Sequence, residues 1–400
     1  MHIPQARRIG QLKYAIRNIA TAAQRLEAEG RRILYLNIGD PLLYDFETPP
    51  DMVEAVARAM RDGKNYYAPS HGILAAREAV ANSLEAEGVD VAPGDVFITS
   101  GASEAIEIAM TAMLEPGDNV LTPMPGYPLY SAVLCKLGVE ERGYRLDSAN
   151  GWRPDVGHLR SLVDERTRGI VIINPNNPTG AVWNESTLVE LLDLARAHSL
   201  VVYADEVYHT MTYDAPPPRI AALAPDLPVI AFDSLSKSHL ATGWRAGWMS
   251  LHGEQLQGEY KGAVGRLLDA RLCSPTSVQF AIPVALEGAS DHLAPTIRKL
   301  RERRDTAVRL LNEIPGFSCN PPEGAFYLMP RFDGLDGQTD EEFVLDVLNE
   351  EGVLLVHGSG FGLAPRDGYM RIVYLPPVDV LEAAIAGIAR VAERRAVRMA

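Results

Sequence analysis

Four hundred residues, 47% hydrophobic and 22% charged, leave room for two or three domains and exclude a disordered chain. A formal net charge of −14 argues against a nucleic-acid binder, which needs a basic surface. No apolar run of about 18 residues could span a membrane and no apolar signal core opens the chain, so the expected compartment is the cytoplasm.

The first 45 residues carry no compact fold of their own and are expected to pack on a unit formed later. From there short apolar strands alternate with helical patterns, as in an α/β domain with a mainly parallel sheet. The pattern predicts strands at Val96–Ser100, Asn119–Thr122, Gly169–Ile173, Val201–Ala204, Val229–Phe232 and Ala246–Leu251. Between them it predicts helices at Ser103–Leu114 and Thr187–His198, the second opened by a capping box from Thr187 to Glu190. After about residue 290 the texture changes. A charged helix, Leu293–Ile314, precedes a Gly/Pro-broken stretch with a strand at Ala325–Met329. A second capping box, Thr339 to Glu342, starts another helix. Strands at Val353–Val356 and Tyr369–Tyr374 and a final helix from Val378 follow. The expected architecture is a large α/β domain of residues 46–290 and a smaller α+β domain made from residues 1–45 and 291–400.

Cys135, Cys273 and Cys319 show no metal-ligand spacing and read as reduced core thiols. Six lysines stand against 32 arginines, so a lysine in an apolar setting stands out.

Polar residues gather just after the predicted strands, where ligands bind in open α/β sheets. Lys237 closes the run Val229–Lys237, an apolar strand and a small polar turn. Desolvation there would make it an amine nucleophile for carbonyls; a solvated strand-end lysine is the plain alternative. Ser234, Ser236 and Ser238 around it suit an anion. Arg245, bracketed by glycines in GWRAGW, can grip a phosphate or pair with a surface acid. Gly101-Ala102-Ser103 opens a helix after a strand, where backbone N–H groups favour an anion, and also reads as a tight turn. Asp205 ends its strand, where a carboxylate can keep a pyridine nitrogen protonated or cap the next turn. Tyr208, three residues on, can reach a ring oxygen. The string NPNNPTG aims the amide of Asn177 from a rigid strand exit. Tyr127, in PGYP, can stack on a flat ring or pack as a turn tyrosine. Arg371, among apolar neighbours, can clamp a carboxylate or form a structural ion pair.

Together these parts resemble the class I/II aminotransferases, the fold-type-I group of pyridoxal-phosphate enzymes. The strings SLSK at 234–237, GWRAGW at 243–248, NPNNPTG at 174–180 and YADEVY at 203–208 carry the likeness, which runs from Asn37-Ile-Gly39-Asp-Pro to Arg371. The resemblance implies pyridoxal 5'-phosphate as cofactor, held by Lys237 as a Schiff base, with Lys237 then serving as acid and base. It implies Asp205 at the pyridine nitrogen, Asn177 and Tyr208 at the ring oxygen and Tyr127 stacked on the ring. Gly101, Ala102, Ser103, Ser234, Ser236 and Arg245 would surround the phosphate. Arg371, Gly39 and Asn177 would take the substrate α-carboxylate. Tyr67 resembles the tyrosine that reaches the phosphate of a neighbouring subunit, which implies a homodimer with shared active sites.

Lys13-Tyr14-Ala-Ile-Arg17 resembles the opening of alanine aminotransferase-like members, where an arm carrying Tyr14 and Arg17 could close the pocket. The implied reaction is L-alanine plus 2-oxoglutarate to pyruvate plus L-glutamate, with ping-pong kinetics. Aspartate or aromatic transamination, or a β-lyase reaction, is the alternative. No arginine near Ser274–Gln279 matches the one that alpha-type aspartate aminotransferases use. The expected partners are an amino acid and a 2-oxo acid, with no metal, nucleic acid or membrane.

Overall fold

The computed structural model describes residues 3–11, 15–288 and 291–399, less the side chains of residues 7, 11, 15–18 and 396–399. In chain order the strands are Leu34–Tyr35 (β1), Val96–Thr99 (β2), Asn119–Met124 (β3), Glu140–Asp147 (β4), Arg153–Pro154 (β5), Thr167–Ile173 (β6), Val201–Asp205 (β7), Val229–Ser234 (β8), Gly247–His252 (β9), Phe317–Ser318 (β10), Tyr327–Leu328 (β11), Arg331–Phe332 (β12), Val353–Leu354 (β13), Val356–His357 (β14) and Met370–Val373 (β15).

Strands β2 to β9 form one sheet in the order β2-β9-β8-β7-β6-β3-β4-β5. From β8 to β4 every neighbouring pair is parallel, whereas β9 runs antiparallel to both β8 and β2 and β5 runs antiparallel to β4. A parallel strand covered on both faces must be apolar throughout, and Gly169–Ile173 and Val201–Ala204 meet that demand. Alternate residues serve the two faces. Ile170 and Ile172 pack with Leu188, Leu191 and Ala76, while Val171 and Ile173 pack with Ile106, Val133 and Leu268. Helices Leu74–Ala86 and Glu185–Ala197 therefore cover one face, and Ala102–Thr111, Pro128–Leu137 and Glu259–Arg271 cover the other.

A further apolar cluster joins the two ends of the chain. Ile19, Ala23 and Leu36 pack there with Leu300, Phe326, Phe343, Ile372 and Ile388. Strand β1 pairs in parallel with β13, Leu34 opposite Val353, while β11-β15-β14 form an antiparallel sheet. Residues of the N-terminal segment thus pack against the later elements.

Local chemistry accounts for the departures. Helix Glu185–Ala197 is capped by Asn184, whose Oδ1 accepts from the Thr187 N–H at 3.1 Å and the Thr187 hydroxyl at 2.9 Å. Thr187 therefore sits inside the first turn, and the box expected from it does not form. The box at Thr339 does form: its Oγ1 accepts from the Glu342 N–H at 3.2 Å and the Glu342 carboxylate accepts from the Thr339 N–H at 2.8 Å. The strand expected at Ala325–Met329 shrinks to β11, because Ala325 takes a left-handed φ of 52°. Of the cysteines only Cys319 is buried in the core; Cys135 and Cys273 are half-buried, which corrects the core reading for those two. Among the described residues no helix is long and apolar enough to cross a membrane.

This topology brings one group of loops together. The exits of β3, β6, β7 and β8 lie at one edge of the sheet, and the antiparallel pairing of β9 brings Thr99 and Ser234 to the same residue, Gly247. Ligands of open α/β sheets collect at that edge.

Candidate active site

At that edge lies a cavity of about 370 Å³, lined by Ala102, Ser103, Tyr127, Asn177, Asp205, Tyr208, Ser234, Ser236, Lys237, Arg245, Gly39 and Arg371. Each of these was singled out in the sequence. Lys237 follows β8 in a tight turn, and its Nζ donates to the Gly39 carbonyl at 2.6 Å. Burial lowers the Lys237 pKa to about 8, opposed by the Asp40 charge and helped by Arg245 and Arg371. At pH 7 about a tenth of the amine is therefore neutral, several hundredfold more than for a solvated lysine near its ordinary value of 10.5.

On one side of Lys237 is a cradle of donors. Gly101 caps helix Ala102–Thr111 with a φ of 81°, leaving the first N–H groups of that helix uncapped by any side chain. A Cβ on Gly101 would lie 2.2 Å from Nη2 of Arg245, and a Cβ on Gly247 would lie 2.5 Å from the Ala102 nitrogen. Both positions need glycine to let the guanidinium and the helix terminus come this close. Arg245 has its own left-handed φ of 52°; its Nη1 donates to the Thr242 carbonyl at 3.1 Å and lies 3.5 Å from the Ser236 hydroxyl. Ser238, also singled out, does not line the cavity; its carbonyl accepts from His292 at 2.8 Å.

Across the cavity Asp205 ends β7. Burial pushes its pKa up to about 6, while the Tyr130 hydroxyl, donating to Oδ2 at 3.0 Å, pulls it down. In the NPNNPTG turn the three asparagines divide the work. Asn174 clamps the Trp183 backbone, Asn176 accepts from Thr179, and Asn177 faces the cavity. The Asn177 Oδ1 accepts from Nη1 of Arg371 at 3.2 Å, so its NH₂ group is left to point elsewhere. Arg371 is 2% exposed, donates to the Asn37 carbonyl at 2.5 Å, and lies between the rings of Tyr327 and Phe361, each 4.7 Å away.

Amine, anion cradle, buried carboxylate and buried guanidinium in one cavity are a demanding combination. The family profile described as aminotransferase class I and II matches residues 31–388. The chain belongs to the class I and II aminotransferases. This aminotransferase is 40% identical to the glutamate-pyruvate aminotransferase AlaA of Escherichia coli K12 over 97% of each chain. It is also 40% identical to an alanine aminotransferase of Mycobacterium tuberculosis, over 95% of this chain and 90% of that one. The solved alanine aminotransferase of Pyrococcus furiosus superposes with a TM-score of 0.95 at 40% identity, covering 98% of this chain and 100% of that one. The fold is that of fold-type-I pyridoxal-phosphate enzymes, and the aminotransferase is a pyridoxal-phosphate-dependent transaminase. The donor set fits that cofactor: an amine for its aldehyde, a glycine-opened cradle for its phosphate and a carboxylate for its ring nitrogen.

Not every singled-out residue of the aminotransferase reaches this cavity. Tyr67 is 80% exposed and does not line it. Tyr14 lies outside the described residues, as does the side chain of Arg17, although Ala20 of the same helix, Ala15–Ala28, lines the cavity. Other residues were missed. Tyr130 lies three positions after Tyr127, a spacing that places both on one side of a helical turn. Tyr327 lines the cavity and shares a hydrogen bond of 2.7 Å with the Tyr208 hydroxyl. Its only sequence signal was a tyrosine within an otherwise apolar strand.

Behind Asp205 sits an ionic cluster that sequence reading also missed. Arg219 is 6% exposed, forks onto Glu87 at 2.9 and 3.1 Å, and lies 3.3 Å from both Glu206 and Asp233. His209 approaches the same Glu87 carboxylate at 2.7 Å. Glu206 follows Asp205 and Asp233 precedes Ser234, so Arg219 braces the exits of β7 and β8 together.

Proposed function

We propose that this aminotransferase moves the amino group of L-alanine to 2-oxoglutarate, giving pyruvate and L-glutamate. The observation that carries this reading is the single cavity shared by the buried amine of Lys237 and the buried guanidinium of Arg371, with Ala20, Ile38 and Leu129 as its apolar wall. A substrate carboxylate at Arg371 would set the α-carbon facing Lys237, and a methyl side chain would meet only apolar surface. The names of the relatives at 40% identity support the same choice.

Bound in the cavity, pyridoxal phosphate supplies an electron sink for charge that develops at the substrate α-carbon. The chain's own groups do the rest. Lys237, made easier to deprotonate by burial, takes a proton at the α-carbon and returns one. Asp205, when ionised, holds a proton on the ring nitrogen. Tyr208 and the NH₂ group of Asn177 donate to the ring oxygen, and Tyr127 covers the ring. Gly101, Ala102, Ser103, Ser234, Ser236 and Arg245 hold the phosphate. Arg371, Gly39 and Asn177 orient the carboxylate.

Arg17 is assigned to the distal carboxylate of the five-carbon partner, and Tyr14 to the same substrate-binding role. The support is the resemblance of Lys13–Arg17 to the opening of alanine aminotransferase-like members. The chain is read as a cytoplasmic homodimer in which Tyr67 reaches the partner's phosphate. Support comes from the exposure of Tyr66 and Tyr67, at 54% and 80%, an aromatic pair that a partner would cover. The boundaries near residues 45 and 290 are proposed as those of a large cofactor domain and a small domain from both chain ends; the apolar cluster uniting Ile19 and Leu36 with Ile388 supports them.

The test is a donor and acceptor profile of the purified holoenzyme. Pyruvate should form from L-alanine and 2-oxoglutarate, and Lys237→Ala should form none. If aspartate or tyrosine exceeds alanine by about tenfold or more in kcat/KM, the alanine assignment falls and the aminotransferase stands. Sedimentation of the holoenzyme as a monomer would remove the shared-site role of Tyr67.

A further inference from the structure

Tyr208 has one proton to give and two places to give it. Its hydroxyl lies 2.7 Å from that of Tyr327, and either oxygen can be the donor. Both residues are buried, at 5% and 3% exposure. If Tyr208 donates to Tyr327, it has no proton left for the cavity. If Tyr327 donates to Tyr208, the Tyr208 proton is free to point elsewhere.

The surroundings hold the Tyr327 hydroxyl in place. Strand β11 pairs with β15, Tyr327 opposite Val373. The Tyr327 ring meets that of Tyr208 edge-on at 5.8 Å and tilts against Phe326 at 4.9 Å. The Arg371 guanidinium covers the same ring. Gly39 completes the enclosure, since a Cβ there would lie 2.3 Å from the Tyr327 hydroxyl. A rotor this confined is suited to directing a proton.

We infer that Tyr327 is a positioning residue of this aminotransferase: it donates to the Tyr208 hydroxyl and thereby turns the Tyr208 proton toward the ring oxygen of the cofactor. The inference rests on the placement of Tyr208 proposed above. A hydroxyl that accepts one hydrogen bond becomes a stronger donor in the next, so Tyr327 also strengthens that contact. The groups that bear on Tyr208 are Tyr327 from β11, Tyr127 from the turn after β3 and Arg371 from β15, with Lys237 lining the same cavity. Burial keeps Tyr208 protonated well above the ordinary tyrosine range, whereas Arg371 acts in the opposite sense. Tyr208 is thus a stable donor whose direction, not its ionisation, is under control.

The experiment is a pH titration of the visible spectrum of the holoenzyme, in the wild type, Tyr327→Phe, Tyr208→Phe and the double variant. A donor at the ring oxygen disperses negative charge there, so weakening it lets the adjacent nitrogen hold its proton to higher pH. Tyr327→Phe should raise the spectral pKa by about half a unit to one unit, the scale of one buried hydrogen bond. Tyr208→Phe should raise it at least as far, and the double variant no further than Tyr208→Phe alone. Gly39→Ala, which displaces the Tyr327 hydroxyl without removing it, should move the titration the same way. If Tyr208→Phe shifts the spectrum and Tyr327→Phe does not, the inference is wrong while the placement of Tyr208 stands. Additive shifts in the double variant would also overturn it, because Tyr327 would then act by another route. If neither single variant moves the titration, the placement of Tyr208 and the inference fall together.

Discussion

Tyr130 donates its hydroxyl to Oδ2 of Asp205 at 3.0 Å, joining the first turn of a helix to the last residue of β7. Burial dominates at Asp205 and lifts its pKa to about 6, with Asp233 and Glu206 pushing the same way and Tyr130 and the Val207 N–H pulling down. Removing the hydroxyl in Tyr130→Phe should therefore lift Asp205 further. In the role proposed for it Asp205 must be ionised, so the acid limb of the kcat/KM profile should move to higher pH by about half a unit to one unit. A limb that stays in place would show that another group sets it.

The same carboxylate should cost the apoprotein stability. Its folded pKa of about 6 exceeds the ordinary 3.8, so its favourable contribution is complete below about 4 and lost as pH rises through 6. Asp205→Asn keeps an oxygen for Tyr130 and removes that penalty. Apo Asp205→Asn should match the wild type near pH 4 and exceed it above pH 7 by up to about 3 kcal/mol, while transamination collapses. Thermal melts of both apoproteins across that range decide it, and equal melting at pH 8 would sink the idea.

Gly101→Ala should separate cofactor affinity from folding. Its Cβ has nowhere to go except against Nη2 of Arg245, and φ is 81°. Displacing that guanidinium costs a charge-assisted contact of about 1.5–3 kcal/mol, or roughly a tenfold to hundredfold rise in cofactor Kd. Equilibrium dialysis of the apoprotein would show this; unchanged affinity would mean the phosphate does not sit in the cradle.

Arg219→Met leaves Glu87, Glu206 and Asp233 without their common cation. Breaking a buried pair from one side destabilises by about 3–5 kcal/mol. The loss should shrink on acidification, because burial already raises Asp233 to about 6 and protonation relieves it. Urea unfolding at pH 8 and pH 5.5 checks both parts. A loss that is equal at the two values would exclude Asp233 as the relieved group.

The legible part of the site was the part built on strand exits. Lys237, Asp205 and Asn177 each follow an apolar run, and chain order alone places such residues at one sheet edge. Arg371 was legible because a guanidinium among Met370, Ile372 and Val373 needs a reason to be there. Tyr130 and Tyr327 were not, since their partners lie 75 and 119 positions away and a tyrosine in an apolar element reads as core. Arg219 follows three prolines and looks like a surface residue; its burial depends on three carboxylates from separate elements. Strand β4 escaped because its EERGYRLD sequence exposes charged residues, as a strand near the sheet edge can. The role proposed for Tyr67 would require a surface that one chain alone does not supply.

The short ladder of β1 with β13 has a consequence for how the molecule is made. It joins residues from opposite ends of the chain, and a contact of such long sequence separation forms slowly if the intervening segment is still open. Once the eight-stranded sheet has formed, that segment is a compact body that brings Leu34 and Val353 within reach at little further entropic cost. Assembly should therefore run from the middle of the sequence outward, and the contact of Arg371 with the Asn37 carbonyl should be among the last to form.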